Sequence, residues 1–451
     1  MDLNRVEDLL MELVPFRTPG LGDQTYLLIH EDKGVLVDPQ RDIDRFLGVA
    51  AERDVDLRLV LETHLHNDYV SGGEQAAVRT GAELVMPAGA APAYSHTPAF
   101  HQEDIKAAGI IVRPIHTPGH TPEHTSYLVL IDGEPVALFS GGSLLVGSAG
   151  RPDLLGPERA HTLGKLQYGS VHRLAGLPRN VGLYPTHGAG SFCTASGAAE
   201  YTSTIGAEVD SNPLLGIGDA ERFADHLLAA PMPIPAFYSY MGPANTFGVP
   251  PMPKPGVPEL SYADLDDQPA DTQVIDLRTP PAMAAGFLPG STGIPLGDDF
   301  GSWVGWLLPY QAPIVLVAEP EQDVTEAVTQ LAQIGIDTVR GVVRNLDGAP
   351  TETFELVDVP TFRERMADPA TQVLDVRMPS EREAVRLDGA EEKFLADVVT
   401  DGVPAALDKD RPVLVLCGGG RRAVIAATLL AREGFQPTVL MGAGVAEVAA
   451  K

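Results

Sequence analysis

A chain of 451 residues is too long for one ordinary hydrophobic core and divides into two to four domains. Its formal charge of -29 repels polyanions, which excludes nucleic acid and anionic membrane as partners. No apolar run is long enough to span a bilayer, the opening Met1-Asp2-Leu3-Asn4-Arg5 does not begin a secretory signal, and the expected compartment is the cytoplasm. The two cysteines, Cys193 and Cys417, make no disulfide framework, so each is a reactive thiol or a small buried residue.

In chain order, the apolar runs 24–29 and 35–38 flank the turn Glu31-Asp32-Lys33-Gly34 and predict a hairpin. Further strands are expected at 55–62, 83–86, 109–114, 126–131, 135–139 and 181–184, with helices at 42–53 and 73–80. Strands in runs with helices interspersed imply stacked sheets covered by helices.

The first strand-helix region contains Thr63-His64-Leu65-His66-Asn67-Asp68-Tyr69. In a continuing strand, His64, His66 and Asp68 would share a face but stand roughly 6.6 Å apart, at about 3.3 Å per residue. The chain must turn for them to meet one ion. Neutral imidazoles and a carboxylate suit zinc or iron, and His120 and His187 are candidate partners downstream.

These histidine segments, with His116-Thr117-Pro118-Gly119-His120, Gly141-Gly142-Ser143 and Thr186-His187-Gly188, resemble the metallo-beta-lactamase fold family. Gly150-Arg151-Pro152-Asp153-Leu154 and His187-Gly188-Ala189-Gly190-Ser191 resemble its persulfide dioxygenase branch. The resemblance covers residues 1–245 and implies an αββα sandwich. It also implies one iron on the counterparts of His64, His120 and Gly142, or, in the two-metal hydrolases, a first site on those of His64, His66 and His120. Asp68 and His187 belong to the second site. Two positions depart from the pattern. Tyr69 stands where the last histidine of the motif belongs, and Gly142 where a metal-bound aspartate does. Three imidazoles still suffice for zinc with an open fourth position; iron or zinc on this degenerate site, or no metal, are all open. Cys193 is either a buried small residue or a sulfur-handling group at the same cavity.

Residues 246–258 are rich in proline and read as a stiff connector. Beyond it the sequence repeats at an offset of 99: Val274-Ile275-Asp276-Leu277-Arg278 matches Val373-Leu374-Asp375-Val376-Arg377, and Pro313-Ile314-Val315-Leu316-Val317 matches Pro412-Val413-Leu414-Val415-Leu416. Each copy, 259–350 and 355–451, alternates buried strand and helix as a parallel α/β sheet requires.

In the second copy the strand 413–416 runs into Cys417-Gly418-Gly419-Gly420-Arg421-Arg422 and a helix at 423–433. Backbone N–H groups and the helix dipole favour a thiolate there, the glycines let the loop curl, and Arg422 adds a fixed charge. The spacing Cys-X-X-Gly-X-Arg resembles the rhodanese sulfurtransferases. In the first copy Ala318 and Asp323 stand at the positions of Cys417 and Arg422, so that copy is expected to be silent.

The expected protein is therefore α/β: a metallo-beta-lactamase-like domain followed by two rhodanese-like domains. Its expected activity is transfer of sulfane sulfur through Cys417, from a small-molecule donor to a thiol or sulfite, with homo-oligomerisation left open. The alternatives are a zinc thioester-type hydrolase or persulfide dioxygenase in the first domain, or a sulfur-binding scaffold without turnover.

Overall fold

The computed structural model describes residues 5–6, 11–195, 200–229, 232–254 and 256–450. Residues 1–4, on which the judgement about a secretory signal rests, and residue 255 of the proline-rich stretch lie outside them. The chain falls into two compact units, residues 1–253 with 332–335, and residues 254–331 with 336–451.

In the first unit, one sheet holds β1 Arg5–Val6, β2 Met11–Thr18, β3 Asp23–His30, β4 Lys33–Val37, β5 Asp56–Leu61, β6 Glu83–Pro87 and β7 Thr97–Ala99, side by side in that order. The second is built from β8 Ile105–Ala107, β9 Ile110–His116, β10 Thr125–Ile131, β11 Glu134–Gly141, β14 Gly182–Pro185 and β15 Ser203–Thr204, in the order 15-14-11-10-9-8; β12 Leu144–Leu145 and β13 Ser148–Ala149 form a small separate hairpin. Alternation along the strands sends their side chains to opposite faces. Tyr26, Leu28, Val35, Val37, Leu59 and Leu61 meet Val112, Tyr127, Val129 and Phe139 between the sheets. Leu27, Ile29, Leu36 and Val60 turn outward to Phe46, Ala50 and Ala76 on helices Asp44–Glu52 and Gly73–Thr80. On the far side, Leu128, Leu130, Leu138 and Leu183 pack on Val171 and Leu174 of helix Pro157–Ala175. The layers are α, β, β, α.

Strand β2 and helix Pro157–Ala175 are among the elements not expected from the sequence. Strand β2 contains Pro15, which argues against a strand from sequence. Helix Pro157–Ala175 buries Ala160, Leu163, Gly164, Gln167, Ser170, Val171 and Leu174 at helical spacing, but small and polar residues fill part of that face and blur its apolar stripe.

The second unit contains two parallel five-stranded sheets. One uses β16 Glu259–Leu260, β17 Gln273–Asp276, β18 Thr292–Gly293, β19 Ile314–Val317 and β20 Val339–Val343, in the order 16-20-19-17-18. The other uses β21 Glu355–Val357, β22 Gln372–Asp375, β23 Glu391–Glu392, β24 Val413–Leu416 and β25 Pro437–Leu440, in the order 21-25-24-22-23. The strand order is the same in both. The register is shared too: Asp276 lies opposite Val317, and Asp375 opposite Leu416. Among the described residues no helix is long and apolar enough to cross a membrane.

Gln167 links the fold to the histidine loops: its Oε1 accepts the His120 backbone N–H at 3.0 Å, and its Nε2 donates to the Ser143 carbonyl at 3.0 Å. Gln167→Leu keeps the volume but leaves the buried His120 N–H without its acceptor, at a cost of about 1–3 kcal/mol. A lowered urea midpoint for the first unit is expected; an unchanged midpoint contradicts this role.

Candidate functional site

Strand β5 ends at Leu61, and the chain turns through residues 62–70, which carry His64, His66 and Asp68 to the edge of the sandwich. The turn is held by Asp38, one residue past β4, in a left-handed conformation (φ 51°). The Thr63 backbone N–H donates to Asp38 Oδ1 at 2.7 Å and the Thr63 hydroxyl to Oδ2 at 2.8 Å; the Thr186 hydroxyl, next to β14, also donates to Oδ2. His64 and His187, each beside one of these threonines, are thereby brought together, with their Nε2 atoms 3.4 Å apart.

Five buried imidazoles meet here. The His64 ring centroid lies 4.1 Å from that of His66, 5.0 Å from those of His120 and His124, and 5.4 Å from that of His187. His120 Nδ1 is 2.8 Å from the Arg151 carbonyl, and Arg151 is itself clamped by Asp153, with Nε and Nη2 each 2.6 Å from a carboxylate oxygen. His187 Nδ1 lies 2.8 Å from Asp23 Oδ1 and 3.2 Å from Asp68 Oδ2. His66 Nε2 faces Asp38 Oδ1 and Glu62 Oε2, both at 3.2 Å, and Tyr69 Oη at 3.0 Å. Tyr69 therefore takes up the outer nitrogen of His66 and the Asp38 carbonyl, which its hydroxyl reaches at 3.2 Å.

The imidazoles divide electrically. Burial and neighbouring histidines pull His64 and His124 well below the usual range, and burial with the His187 charge brings His120 to about 3. Burial acts against the charged form of His187 too, but Asp68 and Asp23 overcome it and raise this residue to about 9. Asp38 and Glu62 likewise overcome burial and raise His66. Two carboxylates this close do not both ionise readily. Burial and the Asp68 charge push Asp23 up, whereas His187 outweighs burial and holds Asp68 well down.

Donors for a metal are present. His66 Nδ1 and His120 Nε2 are buried with no hydrogen-bond partner, and neutral imidazole nitrogens held from behind by a carbonyl or carboxylate are the usual arrangement at zinc and iron sites. Ligand atoms of His64, His66 and His187 lie within 4.8 Å of one another, and so do those of His120, His187 and Cys193. The grouping differs from the sequence expectation: His187, first assigned to a second-site remnant, belongs to both sets, and Cys193 is drawn in beside His120. Cys193 is fully buried, 3.3 Å from Asp68 Oδ2 and 3.7 Å from Tyr238 Oη. The sequence reading missed Asp23, Asp38, Glu62, His124 and Tyr238. An acidic residue ending a buried strand, as Asp38 and Glu62 do, was the available signal.

At Gly142 the departure goes beyond a missing carboxylate. Its N–H donates to His124 Nε2 at 2.9 Å, and a Cβ on this backbone would stand 2.2 Å from His120 Cδ2. The His120 ring occupies the space through which an aspartate side chain would leave.

The second cluster lies in the other unit. Cys417 follows β24 and is 1% exposed, and its Sγ accepts the Gly420 N–H at 3.1 Å in front of helix Arg421–Arg432. Gly420 has φ 99°, and a Cβ there would stand 3.1 Å from the Leu440 carbonyl oxygen. Gly418 and Gly419, which follow the buried cysteine, are exposed. Arg422 is not a free charge, because it forms a two-pronged pair with Glu381, with Nη2 at 2.7 Å from Oε1; its field also reaches Cys417. Arg421 is turned elsewhere, pairing with Asp299 at 2.7 Å and donating to the Pro295 carbonyl. In the first sheet Ala318 is buried at the corresponding strand end, followed by Glu319, whose carboxylate accepts from Thr279.

Two expectations follow. In metal-free protein, the raised His187 contributes stability that is full below its unfolded value of about 6.5 and is lost as pH rises through about 9, whereas Asp68, being depressed, contributes above about pH 4. Thermal melts of the first unit in chelator should therefore show this pair's contribution greatest between about pH 4 and 6.5, and Asp68→Asn should flatten the alkaline decline. Gly142→Asp should displace His120 and lower the melting temperature; a variant as stable as the parent would show that the ring yields freely.

Comparison with known proteins finds a family match in each unit. Residues 19–187 match the metallo-beta-lactamase superfamily, and residues 358–451 the rhodanese-like domain. The chain is 30% identical over 180 residues to a hydroxyacylglutathione hydrolase of Methylobacillus flagellatus, covering 40% of this chain and 66% of that one. With the same enzyme of Albidiferax ferrireducens it is 28% identical over 142 residues, covering 31% and 54%. The chain thus spans about half to two-thirds of the length of these relatives. A metallo-beta-lactamase structure from Staphylococcus aureus subsp. aureus COL superposes with a TM-score of 0.67 at 28% identity, over 74% of this chain and 99% of that one. ETHE1 from Myxococcus xanthus gives 0.45 at 26%, over 52% and 97%. Motif order, layer order and the two family matches agree: the chain joins a metallo-beta-lactamase superfamily domain to a rhodanese-like domain.

Proposed function

We propose that the protein is a sulfurtransferase acting through Cys417. The observation that carries this reading is the seat of its sulfur, which accepts a backbone N–H at a helix N-terminus with an arginine beside it. The thiolate attacks the outer sulfur of thiosulfate or of a small persulfide. A new S–S bond forms at Cys417, the donor's S–S bond breaks, and sulfite or a thiolate leaves with the electron pair. An acceptor thiolate or sulfite then takes the outer sulfur and returns Cys417 as thiolate. The thiol is buried, at 1% exposure, which favours small donors over proteins. The sheet with Ala318 has no nucleophile at this place and acts as a partner to the active loop, through Asp299 and Arg421.

A second reading concerns the first domain. The hydroxyacylglutathione hydrolase relatives suggest thioester hydrolysis, and persulfide oxidation is the related alternative. His64, His120 and His187 would help to hold the ion, zinc or iron, which when bound supplies Lewis acidity towards a carbonyl or sulfur group. The chain's own part is to orient its imidazoles from behind, His120 through the Arg151 carbonyl and His187 through Asp23. Gly142 offers no carboxylate, which weighs against iron oxygenation.

Intact-mass analysis after incubation with thiosulfate should show one added sulfur, mapped to Cys417, and Cys417→Ser should lose at least about a thousandfold in sulfur transfer to cyanide or sulfite, as expected for removal of a covalent nucleophile. Full activity in Cys417→Ser, or sulfur added only elsewhere, overturns the reading. Added sulfur without turnover identifies a scaffold instead.

A further inference from the structure

We propose that Cys193 is a metal ligand: its thiolate supplies the anionic donor that Gly142 does not, completing with His64, His120 and His187 a three-nitrogen, one-sulfur site for zinc or ferrous iron.

Three observations in the first unit lead here. Ligand atoms of His120, His187 and Cys193 lie within 4.8 Å of one another. His120 Nε2 is fully buried with no hydrogen-bond partner, while its Nδ1 is committed to the Arg151 carbonyl, so an unused lone pair remains beside the thiol. The Nε2 atoms of His64 and His187 are 3.4 Å apart. A tetrahedral ion with metal–nitrogen bonds of about 2.05 Å sets neighbouring nitrogens about 3.3 Å apart, so these two imidazoles already stand at the edge length of such a site. The donors of His120 and Cys193, within 4.8 Å of that of His187, close inward on binding to complete the tetrahedron.

The aspartate route is blocked, since a Cβ at Gly142 would run into the His120 ring. Asp68 faces Nδ1 of His187 with the same Oδ2 that accepts the Cys193 S–H, so its place is behind the ligands, orienting them. On binding, a metal–sulfur bond forms, the S–H bond breaks heterolytically and the proton leaves to solvent; no redox change occurs. A mixed imidazole–thiolate set selects zinc or ferrous iron over magnesium or calcium.

The test uses the full chain carrying Cys417→Ser, which leaves Cys193 as the single thiol and makes the result independent of sulfur transfer. Loaded with zinc, it should give an X-ray absorption spectrum with one sulfur at about 2.3 Å. Loaded with cobalt(II), it should show a thiolate-to-metal charge-transfer band. Adding Cys193→Ser should abolish both and weaken zinc binding at least about a hundredfold, with circular dichroism reporting whether the fold is intact. Should that variant not fold, the sulfur shell and the charge-transfer band of the Cys417→Ser protein decide the matter. A nitrogen- and oxygen-only zinc shell, no charge-transfer band with cobalt(II), equal zinc affinity in the folded serine variant, or no zinc bound would each overturn the proposal.

Discussion

The first domain depends on one buried carboxylate. Asp38 follows strand β4 with a left-handed backbone and accepts from Thr63 beyond β5 and from Thr186 beyond β14, which belongs to the opposite sheet. It therefore fastens the two layers of the sandwich at the edge where the histidines emerge. A carboxylate held in this way costs desolvation, which is offset here by several donors and by the His66 charge.

Around this anchor the imidazoles are sorted by what stands behind them. His66 and His187 are backed by carboxylates and carry charge, whereas His64, His120 and His124 are crowded by other rings and remain neutral. In the metal-free protein this sorting keeps the cluster from accumulating positive charge in a buried place. The substitutions at Tyr69 and Gly142 fit into the same network. Tyr69 completes the shell of His66, and Gly142 makes room for the His120 ring.

The second unit shows one sheet order used twice with different chemistry. Arg278 folds back on Asp276, and Arg377 on Asp375, in equivalent places, so the structural pair is kept in both. The loops after β19 and β24 differ. One begins with Ala318 and an acidic run, the other with Cys417 and three glycines. Conformational freedom at Gly420 lets the loop close on the sulfur, and an L-residue there would be strained as well as crowded.

Much of this was visible in the chain itself. Alternating apolar residues mark most strands of both sandwich sheets, and the spaced histidine, glycine and threonine motifs carry the resemblance to a fold family. The 99-residue offset joins β17 to β22 and β19 to β24, because strand periodicity and turn chemistry are local properties that sequence records directly. The tertiary structure alone decided the partners. Nothing in the sequence says that Cys193 lies beside His120, that Glu381 takes the charge of Arg422, that Arg421 turns to Asp299, or that Asp38 binds Thr186. Such pairs join residues 41 to 148 positions apart. Their distances, and with them the charges of the histidines, are fixed only when the strand ends are packed against one another.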